Sequence, residues 1–182
     1  MNTTFCSNLI TAIATITGVI IGFALERITN VMKQRKKEKM LLKTLEEELK
    51  TNRFFISKKI DLIEKIIKAL GDGQILSGFS TRCVTSFYDY KLQYILEFLT
   101  PLKLANVHLI YQKIKDLDKF LNDFEVNIKL DLEKGIMKDP WSIYQSRLND
   151  ILKEFKRLDV FIKSYLDGKP YDLFNRTDDP II

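Results

Sequence analysis

The sequence predicts an all-α protein with one N-terminal transmembrane helix that continues into a long helix and is followed by a cytoplasmic helical bundle. Three observations predict this class. Residues 1–25 carry no charged side chain, apolar residues beyond position 42 recur in steps of three and four, and no stretch alternates polar and apolar residues as a strand would. With 182 residues in total, the part beyond the span is long enough for one domain with a single core.

The first predicted element is a membrane span. The apolar run over residues 9–25, LITAIATITGVIIGFAL, ends at Glu26 and Arg27. With its flanking residues it approaches the ~20 residues that cross a ~30 Å hydrocarbon core. A cleaved signal peptide is the alternative, but it needs basic residues before the apolar run and a small-residue cleavage site after it. Here the basic residues follow the run, which favours an uncleaved anchor.

The distribution of charge predicts the orientation. The formal net charge is +5, from 29 basic and 24 acidic residues, and most of the excess lies between Glu26 and Lys39. The basic residues of this stretch are Arg27, Lys33, Arg35, Lys36, Lys37 and Lys39. Positive charge beside a span marks the cytoplasmic side and contacts anionic lipid. We therefore expect an inner-membrane protein with its N-terminus outside and a lipid-facing basic cluster.

The span is expected to continue directly into a cytoplasmic helix, because residues 27–70 contain neither glycine nor proline and are strongly helix-forming. The apolar positions of this helix follow a heptad pattern. The seam comprises Leu42, Leu45, Leu49, Asn52, Ile56, Ile63, Ile66 and Leu70. Because Asn52 and Lys59 occupy seam positions, either the helix pauses near Thr51 or a polar residue fixes the register of pairing.

Glycines end the long helix. Gly71 and Gly73 supply the left-handed conformations that a helix C-cap requires, and residues 74–81 are predicted to form a loop. A second helix is expected from about Val84 to the residues before Pro101. Its apolar face comprises Val84, Tyr88, Leu92, Ile95 and Leu99.

A capping residue followed by proline predicts the start of each of the last two helices. Thr100 and Pro101 begin the third helix, which should fade near Gly135, and Asp139 and Pro140 begin the fourth. The apolar stripes are Val107, Ile110, Ile114, Leu117, Leu121, Phe124 and Ile128 in the third helix, and Tyr144, Leu148, Ile151, Phe155, Leu158, Ile162 and Tyr165 in the fourth. An antiparallel bundle of four cytoplasmic helices would bury these stripes.

Gly168 and Pro170 are expected to end the fourth helix, and the tail after them has no period. The predicted organisation is a transmembrane anchor over residues 1–26, a basic stem and long helix over 27–70, the remaining helices over 71–168, and an irregular tail over 169–182.

The predicted span has two unlike faces. At about 100° per residue, the small and polar residues fall within an arc of roughly 80°, and large apolar residues fill another face. The small and polar face comprises Asn8, Thr11, Thr15, Gly18, Gly22 and Glu26. Gly18 and Gly22 form a G-x-x-x-G that lets helix backbones approach closely. This face predicts self-association as a dimer or a pore-lining ring, and the alternative is a monomeric anchor whose threonines bond to their own helix.

Sequence motifs for catalysis or cofactor binding are weak. Cys6 and Cys83 are the only cysteines and are expected on opposite sides of the bilayer, so they predict neither a disulfide nor a metal site. His108 is the only histidine and follows Lys103 by five residues, in KLANVH. This spacing is distantly similar to the Arg-x4-6-His motif of HEPN ribonucleases. Lysine replaces arginine here, and the pair lies about 140° apart on a straight helix. We therefore expect His108 to be a surface histidine and the protein to be no enzyme. A single histidine predicts no His-rich metal site, and no cofactor is expected.

The layout resembles the small membrane accessory proteins encoded beside the RNA-guided RNase of type VI-B CRISPR systems. The resemblance rests on the N-terminal span with its polar stripe, the basic stem, the all-α cytoplasmic domain and KLANVH. It implies a membrane pore that strengthens antiviral defence after the nuclease is triggered, with the nuclease or another defence component as a partner.

Two classes of function follow from these patterns. The first is a homo-oligomeric pore or membrane-perturbing effector, and the second is a membrane-tethered module that recruits a cytoplasmic partner through its bundle. A degenerate HEPN-like nuclease is a third. The expected partners are further copies of this chain and membrane lipid. No direct contact with nucleic acid is expected, because the basic cluster lacks the interleaved aromatic residues of a base-stacking surface.

Overall fold

The computed structural model describes residues 3–74, 82–134 and 141–169, with side chains from residue 13 onward except at 132 and 141. Within these ranges the chain forms four α-helices and no strand, which confirms the all-α class. The helices are α1 (Thr3–Gly71), α2 (Ser86–Leu96), α3 (Pro101–Glu133) and α4 (Trp141–Leu166). The chain divides into two compact units, Met1–Lys43 and Thr44–Ile182.

Helix α1 is continuous through Thr51, so the alternative in which the helix pauses there is wrong. The Thr51 hydroxyl donates to the carbonyl oxygen of Glu47 one turn earlier, at 2.9 Å. Gly71 is itself the last helical residue, so the left-handed conformation predicted for it is wrong, and the one predicted for Gly73 is confirmed. Gly73 has a φ of 70°, and the N–H of Gln74 donates to the carbonyl of Ala69 at 2.8 Å. This bond across the left-handed glycine satisfies a carbonyl that the last turn would otherwise leave free.

The apolar stripes predicted from the sequence form one core in the second unit. Helices α3 and α4 contribute seven and five of the predicted stripe residues to it, and the bundle part of α1, residues 44–71, contributes its heptad seam. The buried α1 residues are Leu45, Leu49, Ile56, Ile63, Ile66 and Leu70. Ile151 and Tyr165 are half-buried and pack against this core. Packing of these faces, rather than local helix propensity, stabilises the bundle.

Contacts between helices give their directions. Glu48 of α1 bonds Tyr111 of α3, and Lys59 pairs with Asp118, so these two helices run in the same direction. Helix α4 runs opposite to both. The contacts that show this are Arg53 with Asp159 and Gln145 with Ile67 for α1, and Lys113 with Glu154 and Asp131 with Tyr144 for α3.

Helix α2 is shorter than the sequence predicts. It begins at Ser86 rather than near Val84, because the side-chain amide of Asn52 binds both backbone groups of Val84. It ends at Leu96, and the N–H of Leu99 returns to the carbonyl of Ile95 at 3.1 Å. The start of α2 therefore lies beside Glu48 and Asn52 of α1.

Helices α3 and α4 keep the predicted boundaries where these are described. The Thr100 hydroxyl accepts the N–H of Lys103 at 3.4 Å, and Pro101 is the first helical residue. Helix α4 ends before Gly168, which has a φ of 67°. The predicted loop over 75–81, the signals at Gly135, Asp139, Pro140 and Pro170, and the tail over 171–182 lie outside the described residues.

Candidate functional site

The first unit presents an apolar helix surface that no other described part of the chain covers. From Ile13 to Met32 every large apolar side chain is exposed, with Phe23 at 70%. These side chains are Ile13, Ile16, Val19, Ile20, Ile21, Phe23, Leu25, Ile28, Val31 and Met32. A helix with so large an exposed apolar surface is typical of one that a bilayer or other helices cover. Among the described residues, this helix alone is long and apolar enough to cross a membrane.

The small and polar face of the predicted span lies on this surface. Thr15, Gly18, Gly22 and Glu26 are exposed, and a Cβ added at either glycine would meet no atom within 4 Å. This face is therefore open to a second helix. Thr17 lies outside that face, and Thr29 lies within the same arc, one turn beyond Glu26. Their hydroxyls donate to the carbonyls of Ile13 and Leu25, each at 2.8 Å. Asn8 and Thr11 lie on the α1 backbone, but their side chains are outside the described set.

Beyond the apolar surface, α1 carries the predicted basic cluster. All six basic side chains are exposed. They are Arg27, Lys33, Arg35, Lys36, Lys37 and Lys39. Arg27 is the one basic side chain between Ile13 and Met32, and the other five follow Met32. Such a distribution is typical of the residues beside a membrane span.

Three buried polar residues of α1, here called the polar seam, bind the segment before and at the start of α2. They are Glu48 (8% exposed), Asn52 (0%) and Lys59 (2%). The Asn52 amide donates to the Val84 carbonyl at 2.6 Å and accepts the Val84 N–H at 2.7 Å. This reciprocal pair satisfies both backbone groups of a residue outside any helix. Asn52 thus binds a segment outside the helices, and its role in fixing the register of helix pairing stays a prediction.

Lys59 reaches the same segment through an acidic partner. Its ammonium lies 3.0 Å from Oδ1 of Asp118 on α3, and Oδ2 of Asp118 accepts the N–H of Cys83 at 2.8 Å. The ion pair is almost fully withdrawn from water, so each charge compensates the desolvation of the other.

Glu48 caps α2 from outside. Its Oε2 accepts the N–H of Phe87 at 2.8 Å, and its Oε1 accepts the N–H of Tyr88 at 3.3 Å and the hydroxyl of Tyr111 at 2.7 Å. A carboxylate at this position satisfies N–H groups that have no partner within the helix and interacts favourably with the helix dipole. Burial, followed by the hydrogen bond and charge of Glu48, raises the pKa of Tyr111, so this phenol stays protonated and donates. Its ring stacks on Tyr88 with centroids 4.0 Å apart.

Every partner named above is a backbone group or a neighbouring side chain of this chain. The polar seam therefore serves to position the segment before α2 and the start of α2. Sequence reasoning identified Asn52 and Lys59 but missed Glu48. Its signal was the spacing: Glu48 lies four residues before Asn52 and thus on the same helix face.

Cys83 is half-buried beside this seam. Burial, and then the charge of Asp118, raises the pKa of its thiol to about 12. Since the thiolate is the nucleophile, this cysteine is unreactive at neutral pH.

Lys103 and His108 are not brought together. Both lie on α3, five residues and about 140° apart. Nδ1 of His108 lies 2.7 Å from the Tyr88 hydroxyl. Burial, and then the charge of Asp89, raises the pKa of Tyr88, and which of the two groups donates depends on the tautomer of the imidazole. His108 thus closes a surface hydrogen bond of the α2–α3 contact.

Replacing His108 with alanine is expected to lower the free energy of unfolding by about 1 kcal/mol, the typical net worth of one hydrogen bond. Thermal unfolding of the full chain in mild detergent measures this. Tyr88→Phe is the matched control, because it removes the same hydrogen bond from the other side and should cost a similar amount. A loss of cellular activity in His108→Ala without a stability change would instead assign the imidazole a chemical role.

No protein family, characterised protein or solved structure matches this chain. Within the residues whose side chains the structure describes, no three His, Cys, Asp or Glu side chains converge as a metal site would require. The functional argument therefore rests on the uncovered apolar surface, the open glycine face and the basic cluster of α1.

Proposed function

We propose that this protein is a single-pass inner-membrane protein whose N-terminus lies outside and whose four-helix bundle lies in the cytoplasm. The exposed apolar surface of residues 13–32 carries the proposal. Burying such a surface stabilises by about 25 cal/mol per Å², and a bilayer can cover it on every side at once. The basic cluster after it gives the direction, because positive charge stays on the cytoplasmic side.

We propose further that copies associate through the small and polar face of the span and form a pore or another membrane-perturbing assembly. The open surface at Gly18 and Gly22 supports close approach of helix backbones. Asn8, Thr11 and Glu26 share that face with them, and such groups line polar paths in assembled spans. A role as an accessory of CRISPR antiviral defence, with an RNA-guided nuclease as partner, rests on the resemblance in layout.

Gly22→Leu is expected to weaken self-association at least tenfold, because a leucine side chain would separate the backbones that the glycines allow to approach. Ala24→Leu is the matched control: it adds a similar volume about 160° away around the helix and should leave association within twofold. Native mass spectrometry of the full chain in mild detergent measures the subunit number. A wild-type chain that is monomeric under these conditions would contradict the proposal.

The second candidate function is a membrane-tethered interaction module. One observation favours it: the chain from Thr44 onward is a compact unit with its own core. Replacing residues 9–25 with an unrelated apolar helix separates the two functions. A tether should keep its cellular activity after the exchange, and a pore should lose it together with any effect on membrane potential.

A further inference from the structure

The basic residues between Arg27 and Lys39 surround helix α1 completely. We call them the basic collar: Arg27, Lys33, Arg35, Lys36, Lys37 and Lys39. At about 100° per residue, no gap between neighbouring members around the helix axis exceeds about 80°. All six side chains are exposed, and the helix is continuous through them.

This distribution excludes one common arrangement. A helix that lies flat on a membrane has its cations on one face and apolar side chains on the opposite face. The collar has cations on every face, so a helix lying flat would hold some of them against the apolar interior, and an upright helix that crosses the headgroup layer avoids this. Exposed Ile28, Val31 and Met32 precede Lys33, which places the basic residues between Lys33 and Lys37 at the headgroup level. Arg27 lies about 9 Å before Lys33 along the helix axis, and its long side chain extends toward that level and completes the ring.

The collar also opposes assembly of the chain with copies of itself. Six basic residues against Glu26 and Glu38 give each copy a net +4 over this stretch. Helices that pack side by side have axes about 8–10 Å apart. This distance is close to the Debye length of about 8 Å, so salt screens the charges of two neighbouring collars only in part. Collars at the same depth in neighbouring copies therefore repel each other, and the closer approach that Gly18 and Gly22 allow increases the repulsion.

We propose that anionic phospholipid headgroups bind the basic collar as a ring and are a required partner for self-association of the span. The inference rests on the proposed self-association and adds its regulation. Anionic headgroups neutralise the collar between neighbouring helices, because each Lys or Arg near an anionic surface is attracted to it. Zwitterionic headgroups supply no net charge, so the repulsion remains.

The experiment uses the full chain, labelled with donor or acceptor dyes and reconstituted into two kinds of vesicle. One is phosphatidylcholine alone, and in the other about a third of the lipid is phosphatidylglycerol. Energy transfer as a function of protein-to-lipid ratio gives the dissociation constant of the assembly. We expect association at least tenfold tighter in the anionic vesicles, and a smaller difference at high salt because salt screens the collars from one another.

Two triple variants test the assignment to the collar. K33Q/K36Q/K37Q lowers its net charge from +4 to +1 and should associate equally in both vesicles. K65Q/K68Q/K119Q removes three exposed lysines of the bundle and should keep the lipid dependence of the wild-type chain. Equal association of the wild-type chain in both vesicles overturns the lipid requirement and leaves self-association intact. Absence of association of the wild-type chain and of K33Q/K36Q/K37Q in both vesicles overturns self-association itself.

Discussion

Replacing Lys59 with methionine is expected to lower the free energy of unfolding of the bundle by about 3–5 kcal/mol. Methionine preserves the length and much of the volume of the side chain, so the change removes the charge and leaves the packing. The carboxylate of Asp118 would then remain near the core without its partner at 3.0 Å. Since small domains are stable by only about 5–15 kcal/mol, this single change removes a large part of the total.

The measurement is urea unfolding of the full chain in mild detergent, followed by circular dichroism. K59M/D118N is the control, because the asparagine oxygen can still accept the N–H of Cys83 while no buried charge remains. Most of the lost stability should return in the double variant. If K59M alone is as stable as the wild type, the ion pair is not a buried pair in solution.

Replacing Glu48 with alanine is expected to cost about 3 kcal/mol, because two backbone N–H groups of α2 and the buried Tyr111 hydroxyl lose their acceptor together. Glu48→Gln should cost less, since an amide oxygen can still accept one of these bonds. The effect should be local first: hydrogen exchange at Phe87 and Tyr88 should accelerate more than exchange in α3 and α4.

Glu47→Ala is the matched control for this variant. Glu47 is the neighbouring glutamate, exposed and paired with Lys50 at 3.0 Å, and exposed pairs contribute about 0–1 kcal/mol. Its removal should leave exchange in α2 unchanged. Equal exchange at Phe87 in Glu48→Ala and in the wild type would show that α2 does not depend on this cap.

How much of this fold can be predicted from the sequence depends on how far apart along the chain the interacting residues lie. The three-and-four rhythm from Val107 to Ile128 gave α3 and its buried face, because one helix face decides both. The start of α3 was equally local, since Thr100 and Pro101 are adjacent in the chain. Such features need no knowledge of the other helices.

The polar seam shows what local reasoning misses. Asn52 was recognisable as a polar residue in an apolar seam, but its partner Val84 is 32 residues away, and no period links the two. Glu48 lies in LEEELK, which is typical of a solvated helix face. Only the packed bundle brings the start of α2 to this carboxylate. The same limit applies to His108, whose contact with Tyr88 depends on the α2–α3 packing.

The features of the candidate site on the first part of α1 were easier to predict from the sequence than the contacts of the polar seam. Its features are runs of composition along one helix: an apolar run, glycines four residues apart, and a basic cluster. The structure adds that residues 13–32 are uncovered and that the glycine face is open. Which face meets a second copy depends on a molecule outside this chain, so it stays a prediction.

The most direct measurement of the central claim uses Cys6 and one introduced cysteine as topology reporters in spheroplasts with a membrane-impermeant maleimide. Cys83→Ser leaves Cys6 before the span, and Tyr90→Cys in a chain with both native cysteines replaced by serine gives a reporter on the bundle at a position 82% exposed. We predict that Cys6 reacts in intact spheroplasts and that the Tyr90→Cys reporter reacts only after the membrane is opened. Labelling of both reporters before the membrane is opened, or of both only after it, would contradict the membrane-spanning account, and labelling of the bundle reporter alone before opening would contradict the predicted orientation.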